Sequence, residues 1–414
     1  MGLLRTILVC IISHIMATGG NKIVKILYLT ARQPYPVTKG DQMTAYEQIK
    51  ELSKRHEIYL ISFYTEQYDV LYSEMIKYCK KIYLIKDTKI KQVISMLKTF
   101  INFNSIQANC YYRYGVHKKV REIFEEIKPD IVHVQSFRMA NYFIDNDIRK
   151  KSIDLIDAYS LNMLNRAKKS KRILKPLWYS EYYLLRRFEE NILNKYKYKF
   201  IVAGRDKEYL KDQSIVVNNI GTSLDSENKK EINKKGNINI VFQGNMSYYP
   251  NVQAVKFIAE ELLPSIKIVY PNVKFSIVGS NPSKNILKYE SENIEFTGYV
   301  ESMKHYLNAA DMGIYPIFSA TGIQTKVLEA MASKVPCIVS KEIALGIPEL
   351  VNKKNVLIAN DLKEYISCFE FILNNNDAVD SIVEEGYNLI KEKYSWERHV
   401  SVLESIWIDE VVKE

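Results

Sequence analysis

The sequence predicts an α/β protein of two Rossmann-like, doubly wound domains. Three observations carry this. Short apolar runs alternate with helix-patterned stretches along nearly the whole chain, the mark of parallel sheets covered by helices. The alternation falls into two series, separated by one polar, charged stretch at 221–237 (GTSLDSENKKEINKKGN). The 414 residues, 47% hydrophobic and 26% charged, are enough to give each series its own core.

The first series opens with an apolar run at 25–30, which leads into a loop holding Pro34, Pro36 and Gly40. A helix at 43–53 and a buried strand at 58–63 follow. Further strands are expected at 81–85, 131–134, 153–157, 200–203 and 215–217, with a helix at 116–127. The second series gives a strand at 239–243, a helix at 252–262, and strands at 273–278, 294–296, 312–315, 336–340 and 356–358. After Trp396 the chain is helical, with Val400, Leu403, Ile406 and Trp407 spaced for one face. The expected layout is an N-terminal extension at 1–24, a first domain at 25–220, a linker at 221–237, a second domain at 238–392 and a C-terminal helix at 393–414. Open parallel sheets bind ligands at their carboxyl ends, so the cleft between the two domains is the expected site.

Composition narrows the partners. The net charge is +10, which suits nucleic acid, an anionic membrane surface or phosphorylated ligands. No nucleic-acid module is legible, so nucleic acid is not an expected partner. Cys10, Cys79, Cys110, Cys337 and Cys368 form no CxxC pair or Cys/His cluster. They are expected to be reduced thiols of a cytoplasmic protein, not a disulfide frame or zinc site. Residues 3–16 (LLRTILVCIISHIM) are apolar but shorter than the ~20 residues that span a bilayer. They read as an extension, with a short interfacial anchor as the alternative.

The chemistry concentrates in residues 321–340. This stretch reads as a loop at Thr321, Gly322, Ile323 and Gln324, then a helix, then an apolar strand after Pro336. Lys326 and Glu329, three apart, share one face near the helix start. A cation beside open backbone N–H groups favours a bound phosphate. A carboxylate one turn on can accept hydrogen bonds from sugar hydroxyls. A plain surface ion pair satisfies the spacing equally well. The wording Gly322-Ile-Gln-Thr-Lys-Val-Leu-Glu-Ala-Met-Ala332 closely resembles the signature helix of the retaining family 4 glycosyltransferases, which have the GT-B fold. It is similar to one subgroup, the sugar transferases associated with exopolysaccharide and exosortase gene clusters. Glu329 matches the second of the family's two glutamates, and Thr321 stands where the first is usual.

Other stretches extend the resemblance in order. Phe242-Gln-Gly-Asn-Met-Ser-Tyr-Tyr-Pro-Asn251 follows the first strand of the second series. There Gly244 permits close backbone approach to a ligand, and Asn245 follows it; a simple strand-to-helix turn is the plainer reading. Gly279-Ser-Asn-Pro282 and Phe296-Thr-Gly-Tyr-Val300 come next, and the resemblance sets Tyr299 and Val300 against the nucleotide base. In the first domain Gly40 allows a turn near a ligand, and Asp41 suits a helix cap. The resemblance adds a role for this Pro-Tyr-Pro and Lys-Gly-Asp loop near the donor phosphates. His133 is expected at the carboxyl end of a short apolar strand, where a lone histidine fits a buried structural residue. The resemblance implies instead that it hydrogen-bonds the donor sugar or nearby backbone. Asp157 and Ser160 are expected to end the next strand on the acceptor side.

Residues 165–199 interleave Lys and Arg with Trp178, Tyr179, Tyr182 and Tyr183. This suits a helix resting on anionic lipid, or equally a basic helix packing its aromatics on the domain. No Asp-x-Asp triplet lies in a loop suited to a divalent ion beside a diphosphate, and no cofactor is expected beyond the nucleotide-sugar substrate. No nucleophile triad or GxGxxG fingerprint is legible, which disfavours a hydrolase or a dinucleotide dehydrogenase. The expected function is metal-independent, retaining transfer of a sugar from a nucleotide diphosphate to a glycan or lipid-linked glycan acceptor, in bacterial polysaccharide or glycan synthesis. The expected location is cytoplasmic, with a peripheral position at the inner face of the membrane as an option. The alternatives are a nucleotide-sugar 2-epimerase of the same fold and a non-catalytic nucleotide-sugar-binding subunit.

Overall fold

The computed structural model describes residues 23–37, 39–64, 69–144, 148, 150–224, 237–319 and 323–411. Expectations for residues 1–22, for most of the linker and for Thr321 and Gly322 lie outside the described residues. The chain divides into two compact units. Of the described residues, unit 1 holds those up to 218 with 403–411, and unit 2 holds those from 219 to 402.

Unit 1 is built on a sheet whose described strands are β1 (Lys25–Thr30), β2 (Glu57–Tyr64), β3 (Lys81–Lys86), β4 (Ile131–Gln135), β5 (Lys151–Asp154), β6 (Tyr198–Ile201) and β7 (Ile215–Val217). Their order is β3-β2-β1-β4-β5-β6-β7 and every pairing is parallel. Helices cover both faces of such a sheet, so its strands read as nearly unbroken apolar runs. All of β1 after Lys25 is buried. The order reverses between β1 and β4, which makes their carboxyl ends the switch point of this unit.

Unit 2 repeats the plan with β8 (Ile238–Gln243), β9 (Val273–Val278), β10 (Ile294–Gly298), β11 (Met312–Tyr315), β12 (Cys337–Ser340) and β13 (Leu357–Ala359), ordered β10-β9-β8-β11-β12-β13. Its switch point lies between β8 and β11. The helix expected at 252–262 is longer. It begins at Tyr249, passes through a π-helical turn at Ile258–Leu262 and continues to Lys267. Pro264 explains the widened turn, because it has no N–H to donate and its ring crowds the carbonyl four residues back.

Several expectations in unit 1 need correction. The first helix starts at Gly40, three residues earlier than its apolar pattern suggests. Gly40 has an ordinary φ, and a Cβ there would meet nothing within 4 Å, so no turn requires the glycine. Asp41 does not cap the helix. It sits in the first turn and pairs with Arg32 at 3.0 Å. β5 ends at Asp154, so Asp157 and Ser160 fall beyond the strand. Ser160 is buried, and its backbone N–H donates to Glu189 at 3.0 Å.

The Trp396–Val411 helix supplies Leu403, Glu404 and Trp407 to unit 1. All three are buried. Glu404 accepts from Arg55 at 2.8 Å and meets the His56 ring nitrogen at 3.0 Å. Trp407 lies 5.1 Å from the His133 ring. Trp407→Ala is expected to cost about 3–5 kcal/mol, the range for truncating a fully packed aromatic. Urea unfolding of the variant measures this, and a loss under about 1 kcal/mol would show that the indole is not a core contact.

Candidate active site

In unit 2 the carboxyl ends of β8 and β9 and the start of the Thr325–Ala332 helix enclose a cavity of about 580 Å³. That is within the usual range for a small-ligand pocket. Seven residues picked out from sequence line it: Gly244, Asn245, Tyr299, Val300, Gln324, Lys326 and Glu329. Ile323 instead packs its half-buried side chain against the unit 2 core.

Two glycines make this shape possible. Gly279 has φ +146°, and a Cβ there would lie 1.8 Å from the Gly244 carbonyl oxygen. Gly244 has φ +154°, and a Cβ would lie 2.6 Å from Asn251 Nδ2 and 3.0 Å from Lys326 Nζ. The loops after β8 and β9 therefore touch backbone to backbone. Gly244 N–H donates to the Val278 carbonyl at 2.9 Å, and Met246 N–H to the Ser280 carbonyl at 2.9 Å. This contact leaves room for Lys326 to reach the loop.

Lys326 is held from several sides. Its Nζ donates to Asn251 Oδ1 at 2.6 Å and lies 5.3 Å from the centre of the Phe242 ring. Asn251 Nδ2 in turn donates to the Asn245 carbonyl at 2.9 Å. Gln243, buried at the end of β8, donates from Nε2 to the Lys326 carbonyl at 2.9 Å and accepts from the Tyr315 hydroxyl at 2.8 Å. The helix N-cap, Gln324, is extended and makes no side-chain capping bond. Val327 N–H donates back to the Gln324 carbonyl at 3.0 Å, which leaves the Thr325 and Lys326 N–H groups of the first turn for a ligand at the cavity.

Burial disfavours both charges of the Lys326 and Glu329 pair. Burial lowers the Lys326 ammonium to about 8, against the pull of Glu329. Burial pushes the Glu329 carboxyl up to about 7, against Lys326 and a hydrogen bond from Gln243. A diphosphate in this cavity would compensate the desolvated cation. Ribose hydroxyls can donate to the carboxylate one turn on.

Gln243 and Asn251 were missed as site residues, although both lie inside the Phe242–Asn251 stretch. The usable signals were a glutamine ending a mostly apolar strand and an asparagine in a helix's first turn. Each reads as ordinary polar punctuation until Lys326, about 80 positions later, is brought against them.

The unit 1 candidates are placed differently. Gly40 and Asp41 begin the helix after β1, and the Asp41 carbonyl accepts from Gln135 Nε2 at 2.7 Å. His133 lies in the middle of β4, not at its end. It is fully buried, with Nδ1 2.7 Å from the Ser152 hydroxyl and rings of Tyr28 and Trp407 against it at 4.9 and 5.1 Å. The structural reading of His133 describes it, because an enclosed side chain offers no surface to a donor sugar. In the 165–199 segment, Arg166 stacks on Trp178 at 3.7 Å, and Glu181, Leu185, Phe188, Glu189 and Ile192 form the buried face of the Lys175–Lys195 helix. Ile173, Leu177 and Tyr183 stay exposed.

Residues 237–375 match the family model described as glycosyl transferases group 1. No curated protein sequence matches the chain. Among solved structures, a glycosyltransferase from Rickettsia africae ESF-5 aligns over 95% of this chain and 100% of its own, at 14% identity and TM-score 0.63. The sucrose-phosphate synthase of Thermosynechococcus elongatus aligns over 94% and 100%, at 12% identity and TM-score 0.60. Anabaena HepE, solved in complex with UDP and glucose, aligns over 92% and 99%, at 11% identity and TM-score 0.60. The fold is GT-B, and the stretch that matches the group 1 glycosyl transferase model lies in its second half.

Proposed function

We propose, from a group 1 glycosyltransferase domain set in a GT-B fold, that the chain moves a sugar with retention from a nucleotide diphosphate to an acceptor hydroxyl. The observation that carries this is Lys326, desolvated and depressed to about 8 beside the Thr325 and Lys326 N–H groups in a cavity with glycine-lined walls. The diphosphate lies on Lys326 and the first helical turn. Glu329 takes the ribose hydroxyls. Tyr299, exposed at the cavity mouth, and Val300 take the base. The sugar lies toward Gln324 at the start of the helix. The bound UDP and glucose of Anabaena HepE support a donor of this class.

Glu329 is assigned to the ribose, and no second carboxylate lines the described cavity. Double displacement of the kind used by retaining glycosidases needs a carboxylate nucleophile as well as an acid. A front-face transfer fits better. The leaving diphosphate takes the acceptor proton, and Lys326 with the helix N–H groups stabilises its growing charge. We propose that the reaction needs no divalent metal, because Lys326 and these donors supply the neutralisation. The acceptor is a glycan or a lipid-linked glycan in polysaccharide or glycan synthesis. An anionic membrane at the cytoplasmic face is the proposed second partner, supported by the net charge of +10 and the basic run at 165–199. No helix among the described residues is long and apolar enough to cross a membrane.

A thermal-shift screen with UDP-, GDP- and ADP-sugars tests donor binding, and anomeric NMR of the product tests retention. Absence of a shift with any of them would remove the donor reading. Full turnover in EDTA is expected.

The pH dependence follows from the two shifted groups. An anion favours charged Lys326, so affinity falls as pH rises past about 8. Sugar hydroxyls favour the Glu329 carboxylate, so affinity grows as pH rises through about 7. Binding is strongest between these values, and each limb approaches a tenfold change per pH unit. Lys326→Arg, which stays charged, is expected to lose the alkaline limb only. Affinity that is flat with pH in both proteins would contradict this assignment.

A further inference from the structure

The helical run Lys89–Leu97 and Thr99–Asn102 is built inside out. Its apolar residues face solvent: Ile90 is 73% exposed, Val93 55%, Ile94 57%, Leu97 56% and Ile101 81%, followed by Phe103 at 70%. Positions 90, 93, 94, 97 and 101 share one face at helical spacing. Lys98 joins the two pieces in right-handed helical geometry, and Phe103, at φ 50°, ends the run. The face turned to the protein is polar. Ser95 and Thr99 are buried there, Thr99 Oγ1 accepts from Asn109 Nδ2 at 2.9 Å, and Met96 is the one apolar side chain among the described residues of the run that packs against the unit 1 core.

The ridge is fixed in place. Thr88 Oγ1 caps its start by accepting from Lys91 N–H at 3.3 Å. Gln92 donates to Asp87 at 2.8 Å. Just past its end, Glu181 accepts from Ser105, Ile106 and Gln107. Lys89, Lys91 and Lys98 flank the ridge, and no Asp or Glu occurs between residues 88 and 121.

We propose that this ridge is the surface by which the protein rests on an anionic lipid bilayer. The inference deepens the membrane reading given above and rests on it. The ridge sinks Ile90, Val93, Ile94, Leu97, Ile101 and Phe103 into the headgroup layer, while its lysines meet lipid phosphates. Charge chooses the lipid over a second copy of the chain. Two ridges packed together would gather like-charged lysines, whereas an anionic leaflet neutralises them.

The test is sedimentation of the full chain with phosphatidylcholine vesicles, with and without phosphatidylglycerol. The unmodified protein is expected to sediment only with the anionic vesicles, and less so as salt is raised. Ile94→Glu with Leu97→Glu, both exposed, is expected to reduce the bound fraction about tenfold while donor hydrolysis stays unchanged. Arg172→Glu with Lys175→Glu, in the 165–199 segment, separates the two ideas. If this pair abolishes binding and the ridge pair does not, the membrane reading stands and the ridge proposal falls. If the unmodified chain binds no vesicle, both fall. A dimer in sedimentation velocity that the ridge pair dissolves would identify a second copy as the occupant and overturn the proposal.

Discussion

Replacing Lys326 with alanine is expected to lower turnover of a nucleotide-sugar donor on the order of 10²-fold or more, and Glu329→Ala to do the same. Negative charge grows on the diphosphate as the glycosidic bond breaks, so the Lys326 loss falls mainly on kcat. Asn251 and the Phe242 ring hold the cation in place beforehand, and no solvent need reorganise around it. Glu329→Ala removes a contact made to ribose in the ground state too, so KM rises alongside the fall in kcat. The pair also has a titration signature. Lys326 holds the Glu329 carboxyl down, so Lys326→Ala is expected to shift the acid limb of donor binding above about 7. Wild-type rates in both purified variants would end the assignment of this cavity as the donor site.

Gly279→Ala is expected to damage fold and site together. Its Cβ would sit 1.8 Å from the Gly244 carbonyl oxygen, which is backbone and cannot swing aside. The φ of +146° adds strain of about 1–3 kcal/mol, and forcing the two loops apart adds a similar amount. The Gly244 and Met246 N–H bonds to the β9 side would then break, and the cavity wall would move away from Lys326. Expected results are a lower unfolding midpoint and donor affinity reduced at least about tenfold. Gly40→Ala is the control. With an ordinary φ and open space around it, it should be neutral or stabilise by up to about 1 kcal/mol. A Gly279→Ala protein that melts and binds like its parent would disprove the backbone contact.

The strands were legible because burial on both sides leaves continuous apolar runs that need no knowledge of their neighbours. β1, β2 and β9 fall within a residue of their expected positions. The helix after β8 was cut short, because a π turn carries it past a proline that reads as a stop signal. The inside-out ridge at 89–103 is hidden from sequence for a related reason. Periodicity shows that a helix has an apolar face but not which way the face points.

The amino-acid order alone determined the two-domain parallel architecture and the Lys326 and Glu329 pair, because both are local: one is a period, the other a spacing along a single helix. Tertiary structure decided the rest. It set Gly279 against Gly244, brought Asn251 and Gln243 onto Lys326, and enclosed His133 beneath Trp407, nearly 300 positions away. Those outcomes depend on which surfaces the packed sheets bring together, and burial, which moved Lys326 to about 8 and Glu329 to about 7, exists only once they meet.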